Sequence, residues 1–255
     1  MAKITLTIGG SDTWGGGGIQ TDLKTFENLQ TFGLSVLTCI AVAENDDFVI
    51  RPLPASLIHE QLQTIEQTFQ LDGVKIGLLA SAEIVDLVID FCQRNRGKFP
   101  IILDPVLAFK ETEQQLQQDY LQKIRELAQW VDLITPNLKE MQRLVASATI
   151  VSLADMETTS QQLSEQAKTA VVLKGGPHIL TDSAVDYYTD GITPHYFKGP
   201  ISYQSTIHGA GCCFSAAICA HFAQGTPLIE SIEKSKRFVY EAIENGLPIH
   251  DAGNV

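Results

Sequence analysis

Short apolar runs alternate with longer amphipathic segments along most of this chain. The runs with the length and composition of β-strands are residues 4–8, 35–42, 73–76, 100–103, 131–134 and 170–173. Between them, apolar residues recur at the helical period in residues 16–29, 54–69, 82–95, 113–130 and 155–166. Strands that alternate with helices predict βαβ units, and therefore an α/β fold in which helices cover both faces of a mostly parallel sheet.

The pattern changes near the C-terminus. Residues 184–188 and 193–197 alternate on either side of an Asp190-Gly191 pair, which predicts an antiparallel hairpin. An Ala-rich helical run follows at 214–224, and a last helix is predicted to begin at Thr226-Pro227, with proline in its first position. We expect residues 1–255 to form a single domain. In such sheets ligands bind at the carboxyl ends of the strands, so the site is expected there.

The composition of the chain argues against some classes of partner and location. The 255 residues include 18 basic and 30 acidic ones, and the net charge of -12 argues against nucleic acid or an anionic membrane as partner. The opening residues lack the pattern of a signal peptide, and no apolar run approaches the ~20 residues of a membrane span. The cysteines are odd in number and lack metal-ligand spacing: Cys39, Cys92, Cys212, Cys213 and Cys219. They are typical of free thiols, and we expect a cytoplasmic protein.

The sequence IHGAGCCFS, residues 207–215, is the strongest candidate for chemistry. Gly209 and Gly211 let the backbone approach a ligand, and the N-terminus of the following helix attracts anions such as phosphate. A cysteine there has its thiolate favoured, so Cys212 could accept a proton from a substrate hydroxyl. Taken alone, the motif is equally typical of a glycine turn before a core helix with two buried cysteines.

Polar residues also follow other predicted strands. The glycine-rich residues 9–18 contain Asp12, which could bind a substrate hydroxyl or cap the next helix. Neither the dinucleotide-binding glycine pattern nor a P-loop is present. Asp104 follows the fourth strand and Lys174 follows the sixth. After the fifth strand, Asn137 and Glu140 have the spacing of a capping box, although Glu140 could also hold Mg²⁺ through water.

These motifs, in this order, resemble the ribokinase superfamily, specifically the hydroxymethylpyrimidine and phosphomethylpyrimidine kinases and the related pyridoxal kinases. The resemblance runs nearly end to end and rests on LTIGGSD at 6–12, GGGGIQ at 15–20, DLKTF at 22–26, KIGLL at 75–79, LDPV at 103–106, LITPNL at 133–138, LKGG at 173–176 and HGAGC at 208–212. It implies a ribokinase-like three-layer α/β/α fold, a homodimer, and transfer of the γ-phosphoryl group of ATP, with Mg²⁺, to a hydroxymethyl group on a small heteroaromatic ring.

The resemblance also implies roles for individual residues. It assigns the anion hole to Gly209, Ala210 and Gly211, with Cys212 as the base. It assigns the metal to Asp104 and Glu140, and the nucleotide to Asn137, Lys174 and Lys110. The substrate pocket would contain Asp12, Gly17, Ala43 and Leu107.

The substrate expectation depends on departures from the family pattern. Ala43 stands where hydroxymethylpyrimidine-specific members carry glutamine and pyridoxal-active members methionine, so pyridoxal or pyridoxine is favoured. Phe109 replaces a lid cysteine of the pyridoxal-active relatives, and Ile207 replaces a usual threonine. Hydroxymethylpyrimidine or its monophosphate is the alternative substrate. A further alternative is a catalytically inactive regulator of the same fold. The argument against it is the presence of four intact residues: Asp104, Glu140, Lys174 and Cys212.

Overall fold

A computed structural model of the chain describes residues 2–44, 47–107, 114–146, 149–204 and 208–247. The strands within these ranges are β1 (Lys3–Asp12), β2 (Thr31–Glu44), β3 (Asp47–Pro52), β4 (Gly73–Ile76), β5 (Ile101–Leu103), β6 (Leu133–Ile134), β7 (Ala170–Gly176), β8 (Ala184–Thr189) and β9 (His195–Gly199). The helices are α1 (Gly18–Asn28), α2 (Ala55–Thr68), α3 (Ala82–Asn95), α4 (Gln114–Leu127), α5 (Leu138–Val145), α6 (Leu153–Ala167), α7 (Ala210–Ala223) and α8 (Leu228–Glu244), and a 3₁₀ turn spans Ala128–Trp130.

The described strands form one sheet in the order β3-β2-β1-β4-β5-β6-β7-β8-β9. Six central strands are parallel to one another: β2, β1, β4, β5, β6 and β7. Antiparallel pairing occurs at the two edges, where β3 pairs with β2, and β8 pairs with β7 and β9. The fold is therefore the predicted α/β class with a mostly parallel sheet, and the predicted C-terminal hairpin is confirmed as β8 and β9.

Alternation along the central strands divides the core into two layers. Ile101 and Leu103 of β5 pack with the residues of α2 to α6, whereas Ile102 between them packs with α1, α7 and α8. Each strand thus buries both faces, which explains why the strands read as short, nearly continuous apolar runs. Across the described residues, every helix is too short or too polar to span a bilayer.

Several predicted boundaries differ from the structure. The second strand begins at Thr31 rather than at residue 35, and β3 was not predicted. The helix expected from residue 214 begins at Ala210, so the glycine turn is part of its first turn. The last helix begins at Leu228, with Pro227 one position earlier than expected and without a side-chain cap hydrogen bond. The predicted helix over residues 113–130 ends as a 3₁₀ turn, and residue 113 lies outside the described ranges.

Candidate active site

The first glycine turn is organised by Asp12, the last residue of β1. Its Oδ1 accepts a hydrogen bond from the N–H of Trp14 at 2.9 Å. Its Oδ2 accepts from the N–H groups of Gly16 at 3.1 Å and Gly17 at 2.7 Å. The alternative of a helix cap is thus partly right, because the carboxylate satisfies backbone donors that precede α1. Gly17 itself stands at the N-cap of α1, without a side-chain cap hydrogen bond.

The same carboxylate reaches the second glycine turn. Nε2 of His208 lies 3.0 Å from Oδ2 of Asp12, although the two residues are 196 positions apart. Burial raises the pKa of Asp12, but the hydrogen bond with His208 and those from backbone N–H groups lower it further, so its pKa lies below the ordinary value. No role was predicted for His208, and only its place in the motif before Gly209 marked it.

The second turn needs glycine at its centre. Gly209 stands at the N-cap of α7 with a φ of 83°, in the left-handed region that favours glycine. A Cβ there would overlap the carbonyl oxygen of Gly16, so the two glycine turns are in direct contact. The N–H groups of the first turn of α7, from Ala210 onward, have no partner within the helix. They and the helix dipole provide the predicted environment for an anion.

Lys174 and Asp104 lie beside this helix terminus. Nζ of Lys174 is 2.8 Å from Oδ1 of Asp104, and a Cβ built on Gly211 would lie 3.3 Å from the same Nζ. The Asp104 side chain is 2% exposed and that of Lys174 is 16% exposed. Oγ of Ser215, on the second turn of α7, also lies 3.2 Å from Oδ2 of Asp104. The structure therefore brings the ends of β5 and β7 together at the start of α7.

Asn137 and Glu140 form the capping box that their spacing predicted. The Asn137 N–H donates to Oε2 of Glu140 at 2.8 Å, and the Glu140 N–H donates to Oδ1 of Asn137 at 2.9 Å. Burial raises the pKa of Glu140; the charge of Lys174 opposes that shift and the charge of Asp104 adds to it, and the pKa lies at about 7. Both carboxylates thus act on the same lysine, with Asp104 in direct contact with it.

The pKa of Cys212 differs from the prediction. We expected the helix N-terminus to favour its thiolate, but burial raises its pKa to about 11. The nearby Lys75 and a hydrogen bond from the Gly18 N–H lower the pKa, without outweighing burial. The expectation was wrong because the helix terminus is enclosed by protein. Cys212 remains partly exposed, whereas Cys213 is buried and accepts a hydrogen bond from Oγ1 of Thr25 at 3.6 Å.

Some predicted site residues are described only in part. Lys110, Phe109 and Ile207 lie outside the described ranges. Ala43 belongs to β2, and in the strand register its partner is Phe48 of β3. Leu107 is partly buried against the apolar layer that contains α2 to α6.

The side chains at this site that could bind a metal ion are the carboxylates of Asp104 and Glu140. Within the described ranges, no group of three or more His, Cys, Asp or Glu side chains could hold a metal ion. Mg²⁺ is commonly held in proteins by one or two carboxylates together with substrate phosphates. The buried oxygens of Asp104 and Glu140 fit that mode of binding, because both are hard donors and the charge of Asp104 acts on Glu140.

The chain is similar to known small-molecule kinases. Residues 12–254 match the family described as phosphomethylpyrimidine kinase. The hydroxymethylpyrimidine/phosphomethylpyrimidine kinase of Aquifex aeolicus is 34% identical over 244 residues, which cover 95% of this chain and 94% of that protein. The pyridoxine kinase of Bacillus subtilis is 32% identical over 249 residues, covering 96% of this chain and 92% of that protein.

Solved structures show the same fold. The crystal structure of an ADP complex of Bacillus subtilis pyridoxal kinase has a TM-score of 0.93 and 31% identity, covering 100% of this chain and 96% of that chain. The pyridoxal kinase of Staphylococcus aureus in complex with AMP-PCP and pyridoxal has a TM-score of 0.90 and 31% identity, covering 100% and 92%.

Proposed function

We propose that this chain, which belongs to the phosphomethylpyrimidine kinase family, transfers the γ-phosphoryl group of ATP to the hydroxymethyl group of a vitamin-type heteroaromatic alcohol. The observation that carries the proposal is the meeting of the α7 N-terminus with the Lys174–Asp104 ion pair at the carboxyl edge of the sheet. Phosphoryl transfer needs positioning and charge stabilisation more than covalent chemistry from the protein, and this edge provides both.

The transferring phosphoryl group would lie at the start of α7. Backbone N–H groups of Gly209, Ala210 and Gly211 would donate to its oxygens, in a place where the helix dipole already favours negative charge. Such donors matter because the charge on those oxygens is redistributed as the phosphoryl group moves from the leaving to the attacking oxygen. Lys174, 3.3 Å from the position of a Cβ on Gly211, would add a positive charge on the nucleotide side.

Asp104 and Glu140 would hold Mg²⁺ through their carboxylate oxygens. When bound, the ion neutralises charge on the phosphate oxygens. Glu140 has a pKa of about 7 because burial and the charge of Asp104 favour its protonated form. A divalent cation would favour the ionised form, so metal binding should release a proton near neutral pH. Asn137 and Lys110 would complete the nucleotide side.

Cys212 is the residue we propose as acceptor of the hydroxyl proton. With a pKa of about 11, its thiol is almost wholly protonated at neutral pH in the unliganded protein. A base role therefore draws on a small thiolate fraction, and the rate should increase with pH. The loose transition state of phosphoryl transfer makes moderate demands on a base, which is compatible with a weakly ionised thiol.

The substrate we favour is pyridoxal or pyridoxine. Relatives of similar identity include both pyridoxine kinases and hydroxymethylpyrimidine/phosphomethylpyrimidine kinases, so the choice depends on the pocket. Asp12 and Gly17 would contact the heteroaromatic substrate from the first glycine turn. Ala43 lacks the hydrogen-bonding side chain that would read the pyrimidine's amino group, and that absence favours vitamin B6. Leu107 would supply an apolar wall.

A coupled assay of ATP turnover tests both the activity and the substrate. Pyridoxal, pyridoxine, pyridoxamine, hydroxymethylpyrimidine and its monophosphate would each be offered, with a reaction that lacks acceptor as the background. A higher kcat/KM for the B6 vitamers would support the favoured substrate, and a higher value for either pyrimidine would select the alternative. No turnover with any of them would favour the inactive regulator.

We also propose the domain organisation, the oligomeric state and the localisation of the protein. We propose one kinase domain over residues 1–255, because a single described sheet runs from β1 near the N-terminus to β9. A homodimer is proposed from the family resemblance. The cytoplasm is proposed because all five cysteines are free thiols. Size-exclusion chromatography with light scattering would test the dimer.

A further inference from the structure

The apolar layer beneath α7 is interrupted by charged and polar residues. Ile102 of β5 and Val172 of β7 face α1, α7 and α8, and both are fully buried. On β4, Val74 and Ile76 face the opposite layer, so Lys75 between them faces α7. Lys75 is only 1% exposed. A buried charge beside Ile102, its aliphatic partner on β5, calls for a physical reason.

Lys75 forms an ion pair that is buried on both sides. Its Nζ lies 2.8 Å from Oδ2 of Asp22, on α1, and Asp22 is 0% exposed. The same oxygen accepts a hydrogen bond from Oγ1 of Thr7 at 2.6 Å, and Thr7 is the β1 residue paired with Lys75 in the sheet. The other carboxylate oxygen of Asp22 is buried without a hydrogen-bond partner. A pair of this kind stabilises a fold little compared with apolar packing.

The position of the Lys75 ammonium follows from contacts along α7. A Cβ on Gly73, at the start of β4, would lie 3.2 Å from Sγ of Cys219. A Cβ on Gly77 would lie 2.9 Å from Nζ of Lys75, which places the ammonium level with Gly77. Four strand residues span roughly 13 Å, and about nine helical residues span the same length. Helix α7 runs antiparallel to the strands. The residue about nine positions before Cys219 is therefore level with Gly77, and it lies in the first turn of α7.

We infer that the Asp22–Lys75 pair is a positioning element for phosphoryl transfer, a fixed buried charge that holds a positive field at the first turn of α7, where Cys212 and the anion hole lie. This inference rests on the proposed function. Lys75 does not touch the substrate in this arrangement. It acts through the turn, in the same direction as the helix dipole, and Asp22 keeps its ammonium in place.

The charges around Cys212 are consistent with this direction. The groups that face it are Lys75 from β4, Asp22 from α1, Asp104 after β5 and Lys174 from β7. After burial, Lys75 has the largest influence on the pKa of Cys212 and lowers it, while Asp22 raises it by less. Burial alone would lower the pKa of Lys75, but the acidic groups around it, Asp22 first, raise it above the ordinary value. The raised pKa of Lys75 favours its ammonium form, whereas burial raises the pKa of Asp22 above its ordinary value and the Lys75 charge opposes that shift.

The test uses the double variant Asp22→Asn, Lys75→Met, because a single change leaves an uncompensated buried charge and endangers folding. The matched control is Asp86→Asn, Lys123→Met, which removes an ion pair of the same length class at the surface, where both side chains are more than 30% exposed. Steady-state kinetics are measured alongside the rate at which iodoacetamide alkylates Cys212 at pH 8.5, followed by mass spectrometry. Circular dichroism shows whether each variant is folded.

We expect the buried double variant to lose about tenfold in kcat with little change in either KM, because a field at the transferring group acts on the transition state. Alkylation of Cys212 should slow by about threefold or more, since tenfold corresponds to one pKa unit. Wild-type values of both quantities would overturn the inference. A lower kcat with unchanged alkylation would also overturn it and leave a structural role only. If the wild-type protein phosphorylates no acceptor, the proposed function fails, while the alkylation rates still decide the inference.

Discussion

Nε2 of His208 and Oδ2 of Asp12 lie 3.0 Å apart and join the two glycine turns of the molecule. Asp12 ends β1, while His208 directly precedes the N-cap of α7, so this contact fixes the first turn against the helix that would hold the phosphoryl group. The Asp12 carboxylate accepts three further hydrogen bonds from backbone N–H groups. The contact therefore holds the proposed substrate side and the proposed phosphate side at a fixed separation.

Asp12→Asn should weaken both the fold and substrate binding. The amide group cannot accept all of the backbone hydrogen bonds, and an unsatisfied buried donor costs about 1–3 kcal/mol. We expect that loss in urea denaturation, together with a higher KM for the acceptor. Asp86→Asn is the control, since this exposed carboxylate should change stability by less than about 0.5 kcal/mol. An unchanged KM would restrict Asp12 to a structural role.

The Asp12 carboxylate also predicts a pH dependence. Its folded pKa lies below the ordinary value, so the unfolded chain binds more protons as the pH falls past the unfolded pKa. The stabilisation is then fully present above that unfolded pKa of about 4 and is lost as the pH falls through the folded value. Denaturation midpoints of wild type and Asp12→Asn should therefore converge at acid pH. A constant difference between them down to about pH 2 would contradict the assignment.

Glu140→Gln separates the metal role from the capping role. Glutamine can still accept the hydrogen bond from the Asn137 N–H, so the capping box largely survives. If Glu140 serves Mg²⁺, turnover should fall strongly and require more magnesium. If it serves only as a cap, activity should persist and stability should change by about 1 kcal/mol or less. Normal turnover at ordinary Mg²⁺ would exclude the metal role.

The stability of the same variant has a definite sign. Glu140 has a folded pKa of about 7, above its ordinary value, so the folded protein binds the extra proton between the two values. Stability that this proton provides is present at low pH and is lost as the pH rises towards 7. Without metal, the melting temperature of wild type should fall from pH 5 to pH 8 relative to that of Glu140→Gln. Melting temperatures that change with pH to the same extent in the two proteins would show that Glu140 ionises normally.

The central strands were predictable because parallel strands buried on both faces are nearly continuous apolar runs. β3 was not, because it is an edge strand that begins directly after a charged segment, where alternation is weak. Glycines and polar residues after strands indicated most of the candidate site, since the carboxyl ends of parallel strands meet at one edge.

Long-range pairs were beyond the sequence. Lys75 has the form of an ordinary polar position in a short strand, and its partner Asp22 is 53 residues away. Their pairing depends on the register of β4 with β1 and on which face α1 covers. The pKa of Cys212 was missed for a similar reason. A helix terminus is visible in the sequence, whereas the protein that encloses it is not.

Ala43→Gln should change substrate preference. A glutamine at this position could hydrogen-bond the amino group of hydroxymethylpyrimidine, so kcat/KM for that substrate should rise relative to pyridoxal. Ala43→Met is the matched control, because it adds similar volume without hydrogen-bonding capacity. We expect only the glutamine variant to change the ratio of the two specificity constants. The same ratio in all three proteins would place residue 43 outside the pocket.

Cys212 and Cys213 offer a test of the base within one dipeptide. Successive helical residues point about 100° apart, and Cys213 directs its sulfur at Thr25 in the core. Cys213→Ala should therefore cost stability and little rate, while Cys212→Ala should lose 10²–10⁴-fold, the usual range for general-base assistance. Cys212→Asp should recover part of this loss, because a carboxylate can also accept the proton.

The pH–rate profile shows whether the thiolate itself takes part. The pKa of Cys212 is about 11, so the thiolate fraction increases tenfold for each pH unit below that value. Single-turnover rates of wild type at saturating ATP should therefore rise with pH between about 7 and 9. The Cys212→Ala rates should be flat over the same interval, and Cys213→Ala should follow wild type. Matching flat profiles in wild type and Cys212→Ala, at equal rates, would show that the turn supplies only the anion hole and that the thiol serves packing.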